Sequence, residues 1–319
     1  MTMKEKCYLA MDVGGTNTIA GLVKSDGSIL ARRRFRTRSE RPPAVVMADM
    51  AARLGELAAE APAGLSPAAL TVGLPGWIDQ REGLLIQAPN MPGWVNVPLA
   101  EILSQALGLP VHLENDSNLY ALGEWLHGAG RGLENLLVIT LGTGVGGGLI
   151  LEKRLWTGSF ASAVEIGHAP LHPDNGHICG CGRRGCLETV ASATGMRRLG
   201  RDWLAAGKET LYKGLPEDLT PRLMFNLAGR GDPMSLSVFA EAGRALGLVL
   251  SAVFNLLGLE GVVVGGGAAG ALDYIQPALR QVLDERVLVT DPANIKIIKG
   301  QLGEDAPLLG GASRTGYGC

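Results

Sequence analysis

Two segments of the sequence have the same order of residue types: an apolar strand, a glycine-rich turn and a second apolar strand. The first occupies residues 8–23, with Gly14-Gly15-Thr16 at its turn, and the second occupies residues 136–151, with Gly142-Thr143-Gly144 at its turn. Apolar runs joined by glycines are typical of β-hairpins, whose tips need small residues. Segments with helical spacing follow both hairpins. The sequence therefore predicts an α/β fold.

Further strands and helices follow from hydrophobic periodicity. Helical spacing is found at 44–60, 192–206 and 234–257, and short apolar runs predict strands at 29–37, 70–74, 111–114 and 261–264. A chain of 319 residues is long enough for two domains. The basic run at 32–36, with Arg38 beyond it, is interpreted as one face of an exposed edge strand, although such a run can also bind polyanions.

Glycine is the residue type in excess, at 46 of 319 residues, roughly twice the average usage. There is no G-X-Y period, which excludes a collagen-like chain, so the surplus is expected in turns, close packings and ligand loops. The net charge is −2, with 29 basic and 31 acidic residues. This balance gives no electrostatic footprint for nucleic acid or for an anionic membrane, and neither is expected as a partner.

The cysteines and the apolar segments predict a cytoplasmic protein. Three of the five cysteines fall within eight positions, at Cys179, Cys181 and Cys186, which is unlike the even spread of a secreted disulfide scaffold. No cleavable signal pattern precedes the first strand. The longest apolar stretch, 245–259, is too short to span a bilayer and is interpreted as a buried helix.

Two matches to G-x-G-x-x-G, at 142–147 and 265–270, raise the possibility of a dinucleotide site. That fold needs a helix directly after the glycines and an acidic residue at the end of the next strand. The first match is followed by a strand, and the acids after the second lie in a predicted helix. The two hairpin turns instead carry backbone N–H groups and a threonine hydroxyl, which suit phosphate oxygens.

Two acidic positions are candidates for phosphoryl-transfer chemistry. Asp12 precedes the first glycine turn, where a carboxylate can hold Mg²⁺ directly or through water; the alternative is an Asx turn. Asn115 and Asp116 follow a strand and precede a helix, so one of them is expected to cap the helix. Asp116 can then accept the proton of a substrate hydroxyl, as aspartate does in kinases.

A histidine and three cysteines provide the ligand types of a structural zinc site. The spacing from His168 to Cys179, Cys181 and Cys186 is H-x₁₀-C-x-C-x₄-C, and glycines between the cysteines permit a tight loop. One imidazole and three thiolates complete a tetrahedral Zn²⁺ site. His172 and His177 are rival ligands, but the adjoining Glu165-Ile166-Gly167 favours His168.

These motifs, in this order, resemble the ROK family of sugar kinases and repressors. The resemblance covers residues 8 to 312 and is carried by Asp12–Thr16, Glu114–Asp116, Leu141–Gly148, Glu165–His168, the cysteine loop and Gly265–Gly267; the stretch Cys186–Ser192 is most similar to bacterial glucokinases. It implies an actin-like, hexokinase-type (ribonuclease H-like) fold with two α/β domains around a cleft. We expect a small domain at 1–117, with the segment 306–319 packing back on it, and a large domain at 118–305 that contains the zinc loop.

The resemblance also implies a reaction, which is ATP-dependent phosphorylation of a hexose at its 6-hydroxyl, with glucose as the expected sugar. Asp116 is implied as the general base. The implied sugar ligands are Gly76, Asn90, Asn115, Asp116, Glu165, His168 and Glu188. The implied nucleotide and Mg²⁺ site comprises Asp12, Gly14, Gly15, Thr16, Asn17, Gly142, Thr143, Gly144, Gly266 and Gly267. His168 would bind zinc with one ring nitrogen and the sugar with the other. The family also implies a homodimer.

Three positions depart from the family pattern. Val164 stands where the family usually has glycine, on the approach to the C1–C2 side of the sugar, and Asn17 stands where lysine is frequent. The glycines at 310, 311, 316 and 318 predict a shortened closing helix. The sugar therefore stays open between glucose and an N-acetylhexosamine or fructose. A sugar-responsive repressor is the other alternative, disfavoured because Asp12 lies too near the start for a preceding helix-turn-helix module.

Overall fold

The protein is described by a computed structural model that covers residues 5–88, 91–159, 162 and 164–316. The chain divides into two compact units. The first comprises residues 1–134, 148–164 and 301–319, and the second comprises residues 135–147 and 165–300. The predicted domain boundary after residue 117 falls inside the first unit, because the helix that begins there packs within that unit.

The first unit is built on a five-stranded sheet of order β3-β2-β1-β4-β8. The strands are β1 (Glu5–Val13), β2 (Asn17–Lys24), β3 (Ile29–Arg36), β4 (Leu65–Leu74) and β8 (Val111–Asn115). The first three are antiparallel, and β4 and β8 run parallel to β1. Since parallel strands end at one edge of a sheet, Asp12, Gly73 and Glu114 form one row across it.

Helices cover both faces of this sheet. They are α1 (Pro43–Ala59), α2 (Leu99–Leu107), α3 (Asp116–His127) and α9 (Ala306–Gly316). One core joins the sheet to α1 through side chains such as Met50 and Leu54, and Leu308 belongs to the core on the other face. Gly310 does not interrupt α9. A Cβ at this position would lie 1.9 Å from the backbone oxygen of Leu119, so glycine permits α9 to lie directly on α3.

Smaller elements complete the first unit. A three-stranded sheet, which the sequence did not predict, contains β5 (Trp77–Asp79), β6 (Leu84–Gln87) and β7 (Val95–Val97). The end of β10 (Val145–Leu151) pairs antiparallel with β11 (Arg154–Trp156). The strands β5, β6 and β7 have only three or four residues each, and such short strands carry too little periodicity to be distinguished from loops.

The second unit contains three parallel strands, with β12 (Gly261–Gly265) between β9 (Leu136–Leu141) and β13 (Lys296–Lys299). Its helices are α4 (Glu188–Ala191), α5 (Ala193–Ala205), α6 (Pro221–Ala228), α7 (Pro233–Leu257) and α8 (Leu272–Arg286). Side-chain caps begin three of them, at Ser192, Thr220 and Asp232. By length and composition alone α7 could cross a membrane, but half of its most apolar window is buried inside the protein, as in a core helix.

Candidate functional site

The first glycine turn joins β1 to β2 as a hairpin, as predicted. The Gly14 N–H donates to the Asn17 oxygen at 3.0 Å, and a Cβ on Gly14 would approach that oxygen to 2.9 Å, so this close turn favours glycine. Two side chains that the sequence did not single out support the turn from the end of β3. Thr37 Oγ1 donates to the Gly14 oxygen at 2.6 Å, and Ser39 Oγ donates to the Gly15 oxygen at 2.8 Å. The carbonyl oxygens of Gly14 and Gly15 are thus already hydrogen-bonded. Thr16, at the same turn, is exposed and can contact a ligand.

Asp12 and Asp116 lie on either side of Gly73, at the end of β4. A Cβ on Gly73 would lie 2.9 Å from Leu119 Cδ1, 3.4 Å from Asp12 Oδ1 and 3.6 Å from the Asp116 Cα, so the close packing beside the two acids favours glycine. Burial, followed by the charges of Asp116 and Glu304, raises the pKa of Asp12 to about 8. Burial also raises the pKa of Asp116. A divalent cation beside Asp12 would favour its charged form, and oxygen ligands suit Mg²⁺.

The residues at the start of α3 have separate tasks. Asn115 is the N-cap, and its Oδ1 accepts the backbone N–H groups of Ser117 at 2.9 Å and Asn118 at 3.3 Å. Asp116 Oδ1 accepts the Ser117 N–H at 2.7 Å and the Ser117 hydroxyl at 3.3 Å. Asp116 Oδ2 makes no hydrogen bond to the part of the chain that the structure describes. The carboxylate is thus oriented through one oxygen, and the other oxygen is available to a substrate hydroxyl.

A buried polar network lies behind Asn115 and Asp116. Its centre is Glu114, which is 1% exposed and so needs partners for its charge. Glu114 Oε1 accepts from Gln80 Nε2 at 2.7 Å and from Asn118 Nδ2 at 3.0 Å, and Arg314 Nε donates to Oε2 at 3.2 Å. The sequence does not predict that Gln80 and Arg314 contact Glu114, because they lie 34 residues before it and 200 residues after it.

Two further predicted sugar ligands belong to the first unit. Gly76 has a φ of 95°, which permits the turn between β4 and β5. This left-handed conformation favours glycine at the second residue after the strand end. Asn90 lies outside the described residues.

The second glycine turn joins β9 to β10, with the Gly142 N–H donating to the Gly144 oxygen at 3.0 Å. Glu188 borders this turn, because its Oε2 accepts the Val145 N–H at 3.0 Å. A Cβ on Gly144 would come within 2.2 Å of the same oxygen. Glu188 therefore fixes the turn that also contains Thr143, in addition to its predicted place in the sugar site.

The third glycine segment packs on the end of β9. Gly266 has a φ of 83°, and a Cβ there would lie 2.6 Å from the Leu141 oxygen. The Ala268 N–H donates to that same oxygen at 2.8 Å. Because Leu141 directly precedes Gly142, the structure brings Gly266 next to the second glycine turn. Gly267 has open space where a side chain would stand, which leaves room for a ligand.

His168, Cys179, Cys181 and Cys186 form one cluster in which every pair of ligand atoms is within 4.8 Å. The Sγ atoms of Cys181 and Cys186 are 3.7 Å apart, and Cys179 Sγ is 3.6 Å from His168 Nδ1. With Zn–S of about 2.3 Å and Zn–N of about 2.0–2.1 Å, tetrahedral angles require separations of about 3.8 Å and 3.5–3.6 Å. These two separations match a tetrahedral zinc ion, and neither His172 nor His177 belongs to the group.

The loop that holds the cysteines depends on glycine at one position in particular. Gly185 has a φ of 68°, and a Cβ there would come within 1.8 Å of the His172 oxygen. The chain crosses itself at this point, so His172 supports the loop through its backbone. The second ring nitrogen of His168, Nε2, is 4.0 Å from Glu165 Oε2, on a partly exposed side. Nδ1 is thus directed to the cysteines, and Nε2 is directed towards a second predicted sugar ligand.

Val164 has a φ of 69°, a conformation that a β-branched residue rarely adopts. Its side chain carries two methyl groups on Cβ, which crowd the backbone in the left-handed region. Glycine adopts this conformation without penalty. The departure noted in the sequence therefore coincides with a strained backbone position directly before Glu165.

The chain is similar to known proteins over nearly its whole length. The ROK family model matches residues 8–314. A glucokinase of Thermotoga maritima is 36% identical over 308 residues, with 96% of each chain covered. An N-acetylmannosamine kinase of Escherichia coli is 30% identical over 306 residues, covering 95% of this chain and 96% of that protein.

A solved structure is also similar. The ROK family glucokinase from Streptomyces griseus in complex with glucose and AMPPNP is 31% identical, has a TM-score of 0.80 and covers 97% of this chain and 98% of its own. This likeness confirms the predicted actin-like, hexokinase-type α/β fold. Since the family model spans nearly the whole sequence and two full-length relatives exceed or reach 30% identity, the protein described here belongs to the ROK family.

Proposed function

We propose that the protein transfers the γ-phosphoryl group of ATP to the 6-hydroxyl of a hexose, and that glucose is this hexose. The observation that carries the proposal is Asp116, which begins α3 with one carboxylate oxygen held by Ser117 and the other available. The glucokinases among the relatives, similar over nearly their full length, support the same reaction.

Asp116 acts as the general base. The proton of the 6-hydroxyl passes to its free carboxylate oxygen, and the sugar oxygen forms a bond to the γ-phosphorus. The bond from that phosphorus to the β–γ bridging oxygen breaks, and ADP leaves. Burial raises the pKa of Asp116 above that of an exposed aspartate, which makes the carboxylate a better proton acceptor.

The glycine turns hold the nucleotide. In this proposal Gly14, Gly15, Thr16 and Asn17 contact the phosphates, and Gly142, Thr143 and Gly144 do so as well. Gly266 and Gly267 lie beside adenosine, in the open space after β12. Asp12 would hold Mg²⁺ directly or through water, and the cation supplies neutralisation of phosphate charge. The remaining catalytic effect is positioning of substrates.

The sugar hydroxyls are bound by Gly76, Asn90, Asn115, Glu165, His168 and Glu188, together with Asp116. His168 and the three cysteines would hold zinc, which would supply a structural role. A metal on Nδ1 would orient the His168 ring and leave Nε2, which lies 4.0 Å from Glu165 Oε2, for a sugar hydroxyl. Free cysteines and the absence of any disulfide among the described residues support a reducing, cytoplasmic location. A homodimer is proposed on the family resemblance.

A second candidate is phosphorylation of an N-acetylhexosamine or of fructose. The strained Val164 backbone, next to the sugar ligand Glu165, favours a changed sugar pocket, and an N-acetylmannosamine kinase is among the relatives. A coupled assay of ADP release across glucose, N-acetylmannosamine, N-acetylglucosamine and fructose separates the candidates. Glucose is expected to have the highest kcat/KM. If no hexose is turned over, the proposed function is wrong. If an N-acetylated sugar is preferred, the kinase reaction stands and only the choice of glucose as its substrate is wrong.

A further inference from the structure

The arginines near β3 divide into two groups. On the strand, Arg32 and Arg34 pair with Glu304 at 2.7 and 2.8 Å, and Arg33 pairs with Glu60. The second group comprises Arg36, the last residue of the strand, Arg38 beyond it and Arg53 of α1. Arg36, Arg38 and Arg53 make no ion pair with any residue that the structure describes, although each is exposed. The basic run is therefore neutralised along the strand and uncompensated at its end.

The uncompensated arginines surround a cavity of about 150 Å³ between the end of β3 and the first half of α1. Its lining comprises Phe35, Arg36, Thr37, Arg38, Arg41, Val46, Asp49, Met50 and Arg53. Asp49 is the one carboxylate in this lining, and it accepts from Arg41 at 2.6 Å. Four guanidinium groups thus face one carboxylate. The hydrogen bond from Arg41, together with the charges of Arg41, Arg53 and Arg38, lowers the pKa of Asp49, and burial opposes it.

Two details of the cavity point to a ligand with several acceptor oxygens. The Nε atom of Arg41 is buried and has no hydrogen-bond partner. A buried guanidinium N–H without an acceptor is costly, and an oxyanion would satisfy it. The Arg53 guanidinium lies 4.8 Å from the centre of the Phe35 ring, which orients its planar fork without using its N–H donors.

The cavity shares a wall with the first glycine turn. Thr37 lines the cavity, its backbone N–H donates to the Thr16 oxygen at 3.0 Å, and its hydroxyl donates to the Gly14 oxygen. Arg36 and Arg38 are its chain neighbours. A ligand that draws these two guanidinium groups together would act on the Thr37 backbone and so on the turn.

We propose that this arginine cavity binds a small phosphate-bearing anion, at a site separate from the phosphates of the donor nucleotide. One water needs roughly 10–15 Å³ of such space, so the cavity admits a tetrahedral oxyanion. A nucleic acid is disfavoured, because the arginines that would extend the surface along β3 are paired. The consequence that the anion alters ATP affinity through Thr37 rests on the proposed function, whereas binding itself does not.

Isothermal titration tests the site with inorganic phosphate and tripolyphosphate as probes, at constant ionic strength. Each is titrated into the full-length protein alone and into protein saturated with Mg²⁺ and a non-hydrolysable ATP analogue, which occupies the nucleotide site. The test variant is Arg36→Gln with Arg53→Gln, and the matched control is Arg33→Gln, which changes a paired arginine of the same strand. Circular dichroism and thermal unfolding verify that both variants fold.

We expect one anion to bind per chain in the presence of the analogue, at least about tenfold more weakly in the double variant and unchanged in Arg33→Gln. Phosphate binding identifies a single-phosphate site, and binding of tripolyphosphate alone identifies an oligophosphate site. No binding of either probe at millimolar concentration, or equal binding by all three proteins, overturns the proposal. If the analogue fails to bind while the arginine-dependent site persists, the proposed kinase function fails and the anion site stands.

Discussion

The buried pair of Glu114 and Arg314 gives the most specific prediction about stability. The Glu114 side chain is 2% exposed and that of Arg314 is 31% exposed, with Nε and Oε2 3.2 Å apart. Arg314→Met retains the length of the side chain and removes its charge. Glu114 is then left as a buried carboxylate whose remaining partners among the described residues are uncharged donors from Gln80, Asn118 and Asn115.

Removing one partner of a fully buried pair typically costs about 3–5 kcal/mol. Arg314 is partly solvated, and Glu114 keeps three donors, so we expect a loss of about 2–3 kcal/mol in the free energy of unfolding. Glu114→Gln with Arg314→Met removes both charges together. The double variant should therefore be more stable than Arg314→Met alone, by about 1–2 kcal/mol.

Urea unfolding followed by tryptophan fluorescence measures this directly, since four of the five tryptophans lie in the unit that contains the pair. Activity provides a second readout, because Glu114 directly precedes Asn115 and Asp116, and Arg314→Met should lower kcat for the sugar. A loss below about 0.5 kcal/mol, or simple additivity in the double variant, would refute the buried-pair reasoning.

Three other predictions concern metal, strain and pH. Elemental analysis should find about one zinc per chain, and Cys181→Ser should lose both the zinc and folded stability; a metal-free protein with full activity would contradict the site. Val164→Gly should raise the free energy of unfolding by about 1 kcal/mol by relieving the left-handed valine, and a loss in urea unfolding would contradict that. The folded-state pKa of Asp12, about 8, exceeds its unfolded value of 3.8, so in protein prepared without Mg²⁺ the free energy of unfolding should fall as the pH rises from about 4 to about 8. Asp12→Asn should remove this trend, and an unchanged pH profile would count against it.

Much of the fold was accessible from local sequence patterns. β9 was predicted without error, and the two long helices at 192–206 and 234–257 differ from α5 and α7 by about one residue at their ends. Periodicity identifies such elements because each buries one face or is buried on both. The β5–β7 sheet and the continuous α9 were not accessible, since one consists of very short strands and the other depends on the packing of Gly310 against α3.

The site divides in the same way. Glycines, acids and cysteines at short spacing could be recognised, and the metal cluster has the four predicted members, with both rival histidines outside it. Other residues could not be recognised, because they support the site through contacts between segments distant in the sequence. They are Thr37, Ser39, Gly73 and Arg314. Such residues carry no local pattern, and only the folded chain brings them to the glycine turn and the strand ends.

The central claim is that Asp116 removes the proton of the sugar hydroxyl, and Asp116→Asn tests it most directly. Glucose 6-phosphate formation is measured at saturating ATP, and glucose binding is measured separately by calorimetry. Asp26→Asn, an exposed turn carboxylate that accepts the Ser28 N–H, is the control. We predict that Asp116→Asn binds glucose but turns it over about 10²–10⁴-fold more slowly, while Asp26→Asn matches the wild type. Turnover by Asp116→Asn within about threefold of the wild type would contradict its role as the base.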